Sequence, residues 1–227
     1  MTTVFTGGFV SAIARTGQVA IGAVALWFGL QKALQVVYLR RLLGGAEVTD
    51  ANAILQANLL CCGTILLAMA VLFGFVTFLP WFWRAHRNVH GLGVEPVSAR
   101  HWVVTGFLIP GVNLVQPYHV ALEIWQQSDR VRLAGADPSE RPRPTATVTG
   151  WWICLVSWAA GAVLVDSIGR EVQTNTALLL IESVQAALSI LGAGAALLGF
   201  LMIGRLDRLQ QEADSAVRQE GSALAPG

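Results

Sequence analysis

Lysine is almost missing from this chain. Lys32 stands alone against fourteen arginines, and only 13% of the 227 residues are charged. The arginine bias fits GC-rich coding and a bacterial source. Formal charge is +1, so the whole chain carries no basic field that would recruit nucleic acid. Cysteine is equally scarce. Cys61, Cys62 and Cys154 are odd in number and lie in apolar runs, which implies no disulfide framework. Catalytic signatures are absent as well. No zincin-type pattern occurs, and Ser157 and Ser189 have no histidine at their depth to serve as base, so no catalytic residue is expected and the chain reads as a non-enzyme. His86 and His90, four apart, would share a helix face, but no carboxylate completes a metal set. A wet helix face accounts for them, and no metal or other cofactor is expected. A haem or metal protein using His86, His90, His101 or His119 is the contrary reading, and an absorbance spectrum separates the two.

What the chain does have is apolar length. Hydrophobic residues make up 54% and mean hydropathy is +0.57, a membrane profile. Four runs reach the roughly 20 residues a bilayer needs: about 17–39, 54–79, 148–165 and 177–204. The reading is an all-α integral membrane protein with four transmembrane helices. An N-terminal segment covers 1–16, one membrane domain 17–205 and a charged tail 206–227. The first run is longer than a signal-peptide core and lacks a small-x-small cleavage site, so it reads as an uncleaved anchor. Ala25, Gly29 and Ala33, and again Gly192, Ala196 and Gly199, offer small-residue stripes for close helix contact. Thr49 or Asp50 could cap the second span. Residues 134–147 hold a Pro-rich polar stretch and read as an extended linker. With four spans both termini share one side. Placing them inside puts eleven arginines inside and three outside, so the positive-inside rule favours cytoplasmic termini in a bacterial inner membrane.

Residues 80–133 form a motif belt between the second and third spans. Trp81 and Trp83 follow the apolar run, with Arg84 and Arg87 beyond them, the order expected where rings sit among headgroups and arginines meet phosphate. Ser98–Ile109 is too short to cross. Pro110 and Gly111 break it, Asn113 reads as an N-cap, and Pro117 suits a first helical turn. From Leu114 to about Leu133 the pattern is amphipathic. Leu114, Val115, Tyr118, Leu122 and Trp125 line one side, and Gln116, His119, Glu123, Gln126, Gln127 and Arg130 the other. Such a helix–break–helix lies at the cytoplasmic interface or makes a shallow re-entrant hairpin. The surface is favoured, because irregular backbone at depth needs cover.

These residues carry a resemblance. Trp81, Arg84, Asn88, Leu92 and Gly93 match a Trp-x-x-Arg-x-x-x-Asn-x-x-x-Leu-Gly run. Phe107 to Ile109, Pro110, Asn113, Leu114, Pro117 and Tyr118 match a second, which Glu123, Ile124 and Trp125 close. Trp151 and Trp152 open the next apolar helix. The sequence resembles the bacterial family called Domain of Unknown Function 4328 over about residues 55–205. Leu108 departs from the Trp or Phe often found there, which weakens a claim that an aromatic is needed at that point. The resemblance implies a multi-pass bacterial membrane protein and no activity.

Ionisable groups inside spans default to functional candidates. Lys32, Asp166 and Glu182 all fall in the outer half of the spans, near Gln31, Gln35, Gln56, Asn58 and Gln185. A polar layer is expected, with Lys32 pairing Glu182 or Asp166. The bland account is a structural ion pair or snorkelling; the sharper one is a vestibule for a small ligand or ion. In the belt, Trp81, Arg84, Arg87, Asn88, Asn113, Tyr118, Glu123 and Trp125 are the candidate ligand or partner residues, with Arg84 expected to pair with Glu123. The function read from the sequence is a membrane-embedded interaction, scaffold or lipid-binding protein. Its partners are the bilayer, anionic lipid headgroups or a membrane protein. A small transporter or channel component is the alternative.

Overall fold

Straight-chain and small apolar residues, with few helix breakers inside the runs, favour helix over every long segment. The computed structural model describes residues 8–45, 50–95, 98–134, 140–170 and 174–223, and no strand occurs among them. In chain order they form α1 (Gly8–Leu43), α2 (Asp50–Gly91), α3 (Trp102–Leu108), a 3-10 turn (Val112–Leu114), α4 (Gln116–Ala134), α5 (Ala146–Gly169) and α6 (Asn175–Ala223). Four helices are long and apolar enough to cross a membrane: Gly8–Leu43, Ala53–Gly91, Ala146–Gly169 and Asn175–Gln219.

Each expected span lies within one of these helices, but the helices run further. The second was expected to end at residue 79, and α2 continues through Pro80 to Gly91. Proline leaves one intrahelical bond unmade, which the flanking turns absorb. The charged tail continues α6 to Ala223. The expected cap at Thr49 lies outside the described residues, as do the side chains of Asp50 and Gln56.

Two compact units are distinguished. One comprises residues 17–74 and 153–197. Its helices meet through small residues. A Cβ on Gly22 would stand 3.4 Å from the Ala196 Cβ, and one on Gly29 would stand 2.8 Å from the Ser189 Cβ. Both contact points advance by seven residues, in opposite chain directions, so α1 and α6 run antiparallel along a heptad seam. Gly192 lies against the Trp158 indole in the same manner. On α2, Ile65, Leu66, Met69 and Leu72 are each more than half exposed.

The other unit comprises residues 1–16, 75–152 and 198–227, and it contains the belt. Its centre is aromatic and aliphatic: Phe78, Trp81, Phe82, Ile124, Ile203 and Leu206 are all buried. The sequence expectation for α4 needs correction here. The helix starts at Gln116, so Leu114 and Val115 precede it and do not share its phase; both are exposed. Its buried face is Pro117, Val120, Ala121, Ile124, Trp125 and Ser128, and it continues into Asp129 and Arg132. The expected N-cap Asn113 sits inside the 3-10 turn, where its amide donates to the Ile109 carbonyl.

Candidate functional site

Asp207 organises the polar part of the belt. It lies on α6 one turn after Gly204. Its Oδ1 accepts from Trp81 Nε1 at 3.0 Å and from Arg84 at 3.3 Å. Its Oδ2 lies 3.8 Å from the Arg15 guanidinium. Arg84 also donates to Ser11 Oγ at 2.6 Å. Arg15 lies over the Phe200 ring, and Gly204 leaves room for its guanidinium. One carboxylate thus draws α1 and α2 onto α6, between two arginines. Arg84 was expected to meet Glu123. It pairs with Asp207 instead, while both Glu123 oxygens accept from the Ser98 amide at 3.1–3.2 Å.

One turn further along α6, Gln210 is buried beside Asn88. Asn88 Nδ2 donates to Gln210 Oε1 at 2.9 Å, and Gln210 Nε2 donates to the Ala85 carbonyl at 2.8 Å. Asn88 thus serves the Gln210 oxygen and the α2 backbone serves its amide, so both ends of the buried Gln210 carboxamide are partnered. His86 contacts the Ser98 carbonyl through a ring nitrogen at 3.1 Å and meets the His90 ring edge-on.

The linker expected to be extended is strapped down over its described part, residues 140–145. Asp129 accepts from Arg132 Nε at 2.9 Å and from the Arg143 amide at 2.7 Å. Arg132 also reaches Glu140 and the Arg141 carbonyl. Burial works against the Arg132 charge, and its hydrogen bonds to the Asp129 and Glu140 carboxylates outweigh it, so its guanidinium titrates above the usual arginine value. Trp125 Nε1 donates to the Arg143 carbonyl at 3.4 Å.

The break between α3 and α4 is tied to α5. Trp152 Nε1 donates to the Leu114 carbonyl at 3.1 Å, and Tyr118 Oη lies 3.3 Å from Thr149 Oγ1. Gly106 permits the contact between α3 and the start of α4, since a Cβ there would stand 3.2 Å from Gln116 Cγ.

In the other unit, Lys32 Nζ lies 2.9 Å from Glu182 Oε2, with side chains 5% and 11% exposed. That oxygen accepts no aligned hydrogen bond, so the pair is a contact of charges. Nζ also sits 5.3 Å from the Phe28 ring centroid. Asp166, the other partner considered for Lys32, pairs with Arg170 one turn away, and both side chains are exposed. Gln31 Nε2 donates to the Leu59 carbonyl. Its Oε1 and that of Gln185 are buried without a hydrogen-bond partner.

The site residues expected from sequence thus divide. Trp81, Asn88 and Trp125 are buried struts, and Arg84, Glu123 and Tyr118 have protein partners. Arg87 is exposed, as is Trp83 beside it, which was not among the candidates. Sequence reasoning missed Asp207, Gln210, Asp129 and Arg132. A signal for the first two existed: Ile203, Leu206, Asp207 and Gln210 share an i, i+3, i+4, i+7 face in a stretch that was read only as a charged tail.

The model of a family described as a domain of unknown function, DUF4328, matches residues 44–208. That match takes in the whole belt and Asp207 and leaves out Lys32 and Gln210. No curated protein and no solved structure matches the chain.

Proposed function

The chain belongs to that DUF4328 family, and from this premise we propose that it is a multi-pass protein of the bacterial inner membrane. In this reading both termini and the belt are cytoplasmic. Exposed Leu, Ile and Met along α2 support the membrane assignment, because a water-soluble chain does not leave such a continuous apolar surface uncovered. The belt then acts as a membrane-embedded interaction surface for anionic lipid headgroups.

One observation carries this choice over a catalytic or cofactor site. The belt's Trp81, Arg84, Asn88, Asp129 and Arg132 all have protein partners, whereas Trp83 and Arg87 face outward at the end of an apolar helix segment. Arg100 and Arg130 are exposed as well. A ring at headgroup depth with arginine beyond it fits lipid phosphate. Each such arginine adds about 1 kcal/mol near an anionic surface, roughly fivefold in binding. The test is native mass spectrometry of detergent-purified protein with added phosphatidylglycerol or cardiolipin. Arg87→Ala should retain the fold and bind anionic lipid roughly fivefold more weakly. Unchanged binding would refute the headgroup site.

The second reading is a transporter or channel component centred on Lys32 and Glu182. The two buried carboxamide oxygens without donors, on Gln31 and Gln185, favour it, because such groups seek water or a cation. Proton and potassium flux in proteoliposomes separates the readings: only a transport role predicts a flux that a stable Lys32 variant loses.

A further inference from the structure

We infer that α3, the break and the start of α4 form a re-entrant wedge whose tip is seated among lipid acyl chains. The occupant is the hydrocarbon of the bilayer itself, so the inference rests on the membrane reading above.

The tip has the right chemistry. No Asp, Glu, Lys, Arg or His occurs between His101 and His119. Leu108, Ile109, Leu114 and Val115 are 62%, 42%, 54% and 52% exposed. They flank the exposed Pro110 and Gly111 at the tip of the hairpin. Leu108 departs from the Trp or Phe that the resemblance places there, and it too is a large apolar side chain facing outward.

Depth follows from two independent sets of contacts. Phe107 lies 5.8 Å from Phe75 and from Phe82, and 6.1 Å from Phe78, ring centre to ring centre. Its level is therefore near Phe78, five residues before Trp83. At about 1.5 Å per residue that is roughly 7 Å back along α2 from Trp83, within its apolar run. The α5 contacts agree. Trp125 meets Arg143, Tyr118 meets Thr149, and Leu114 meets Trp152. Going backward along α4 is going forward along α5, towards its apolar segment, and the break lies furthest along.

Much of the backbone hydrogen bonding at the break is internal. In hydrocarbon, every freed peptide group needs an internal partner. The amides of Ile109, Asn113, Leu114 and Val115 donate to Thr105, Ile109, Gly111 and Val112 carbonyls. The Leu114 carbonyl receives the Trp152 indole, and the Thr105 hydroxyl bonds the His101 carbonyl. Gly111 takes φ +81°, which only glycine adopts without strain, so the chain reverses in a tight turn. Seven residues of α3 rise only about 10 Å, far short of a roughly 30 Å core. The hairpin can enter and return, and cannot cross.

The test is spin-label depth measurement on the full chain in phosphatidylglycerol-containing vesicles, in a Cys61→Ala, Cys62→Ala, Cys154→Ala background. Labels go singly at Leu108→Cys and Val115→Cys, with Leu66→Cys on α2 and Gln126→Cys on α4 as controls. All four sites are exposed. The wedge predicts that Leu108 and Val115 behave as Leu66: open to oxygen, and several-fold less open to a water-soluble nickel chelate than Gln126. If the tip sites match Gln126 while Leu66 remains lipid-facing, the wedge is wrong and the membrane reading stands. If the tip is shielded from both reagents, protein covers it and the wedge is also wrong. If Leu66 itself is open to the chelate, the membrane reading fails and the wedge with it.

Discussion

Replacing Lys32 and Glu182, singly and together, separates a structural ion pair from any other source of stability at that depth. The two side chains are 5% and 11% exposed, and their charged atoms are 2.9 Å apart. Lys32→Met leaves a buried carboxylate whose nearest cation is gone; Glu182→Met leaves a buried ammonium whose remaining contact is the Phe28 ring. Stranding one member of a buried pair typically costs about 3–5 kcal/mol, whereas exchanging both for apolar residues of similar volume is close to neutral. Methionine matches the lysine stem well and fills irregular space. Each single variant should therefore lose about 3–5 kcal/mol, and the double variant should fall near the parent. Additivity would then be missed by about 6 kcal/mol or more, beyond the usual coupling between touching residues. Steric trapping in bicelles reads these free energies directly. Two small, additive losses would refute the argument, because they would mean that water reaches the pair and screens it. A stable double variant also supplies the clean reagent for the flux comparison described above.

Two further outcomes follow from the packing. Asn88→Leu removes the donor to Gln210 Oε1 and should cost about 1–3 kcal/mol, with Asn88→Leu plus Gln210→Leu recovering part of the loss; a double variant worse than the sum would contradict the pairing. Gly29→Ala puts a Cβ 2.8 Å from Ser189, so α1 and α6 must separate, at about 1–3 kcal/mol. Gly22→Ala meets Ala196 at 3.4 Å, an ordinary contact, and should be nearly silent; equal effects at the two positions would argue against the seam. Thermal unfolding in detergent, monitored by circular dichroism, ranks all four variants.

The belt shows where sequence reading reached its limit. Trp81, Arg84 and Asn88 stood out as unusual after an apolar run, and they were read as ligand-facing. Once α2 continues through Pro80, these side chains turn inward and meet Asp207 and Gln210, more than 120 residues away along the chain. No local pattern carries that distance. The α4 face was misjudged for a related reason. Leu114 and Val115 precede the helix, so a face drawn through them is out of phase with the one that buries Asp129 and Arg132.

Sequence by itself determined the helical class, the positions of four long apolar runs, the break at Pro110 and Gly111, and the short list of partners for Lys32. Each depends on composition or on spacing within one helix, and the physics behind them is local: burial of apolar side chains, proline's missing N–H and the 3.6-residue period. Only the tertiary structure decided which polar residue meets which. It paired Lys32 with Glu182 rather than Asp166, Arg84 with Asp207 rather than Glu123, and the Leu114 carbonyl with Trp152. Those choices depend on rotation and register between helices, which small residues such as Gly29 and Gly106 set through close approach, and a one-dimensional pattern does not encode them.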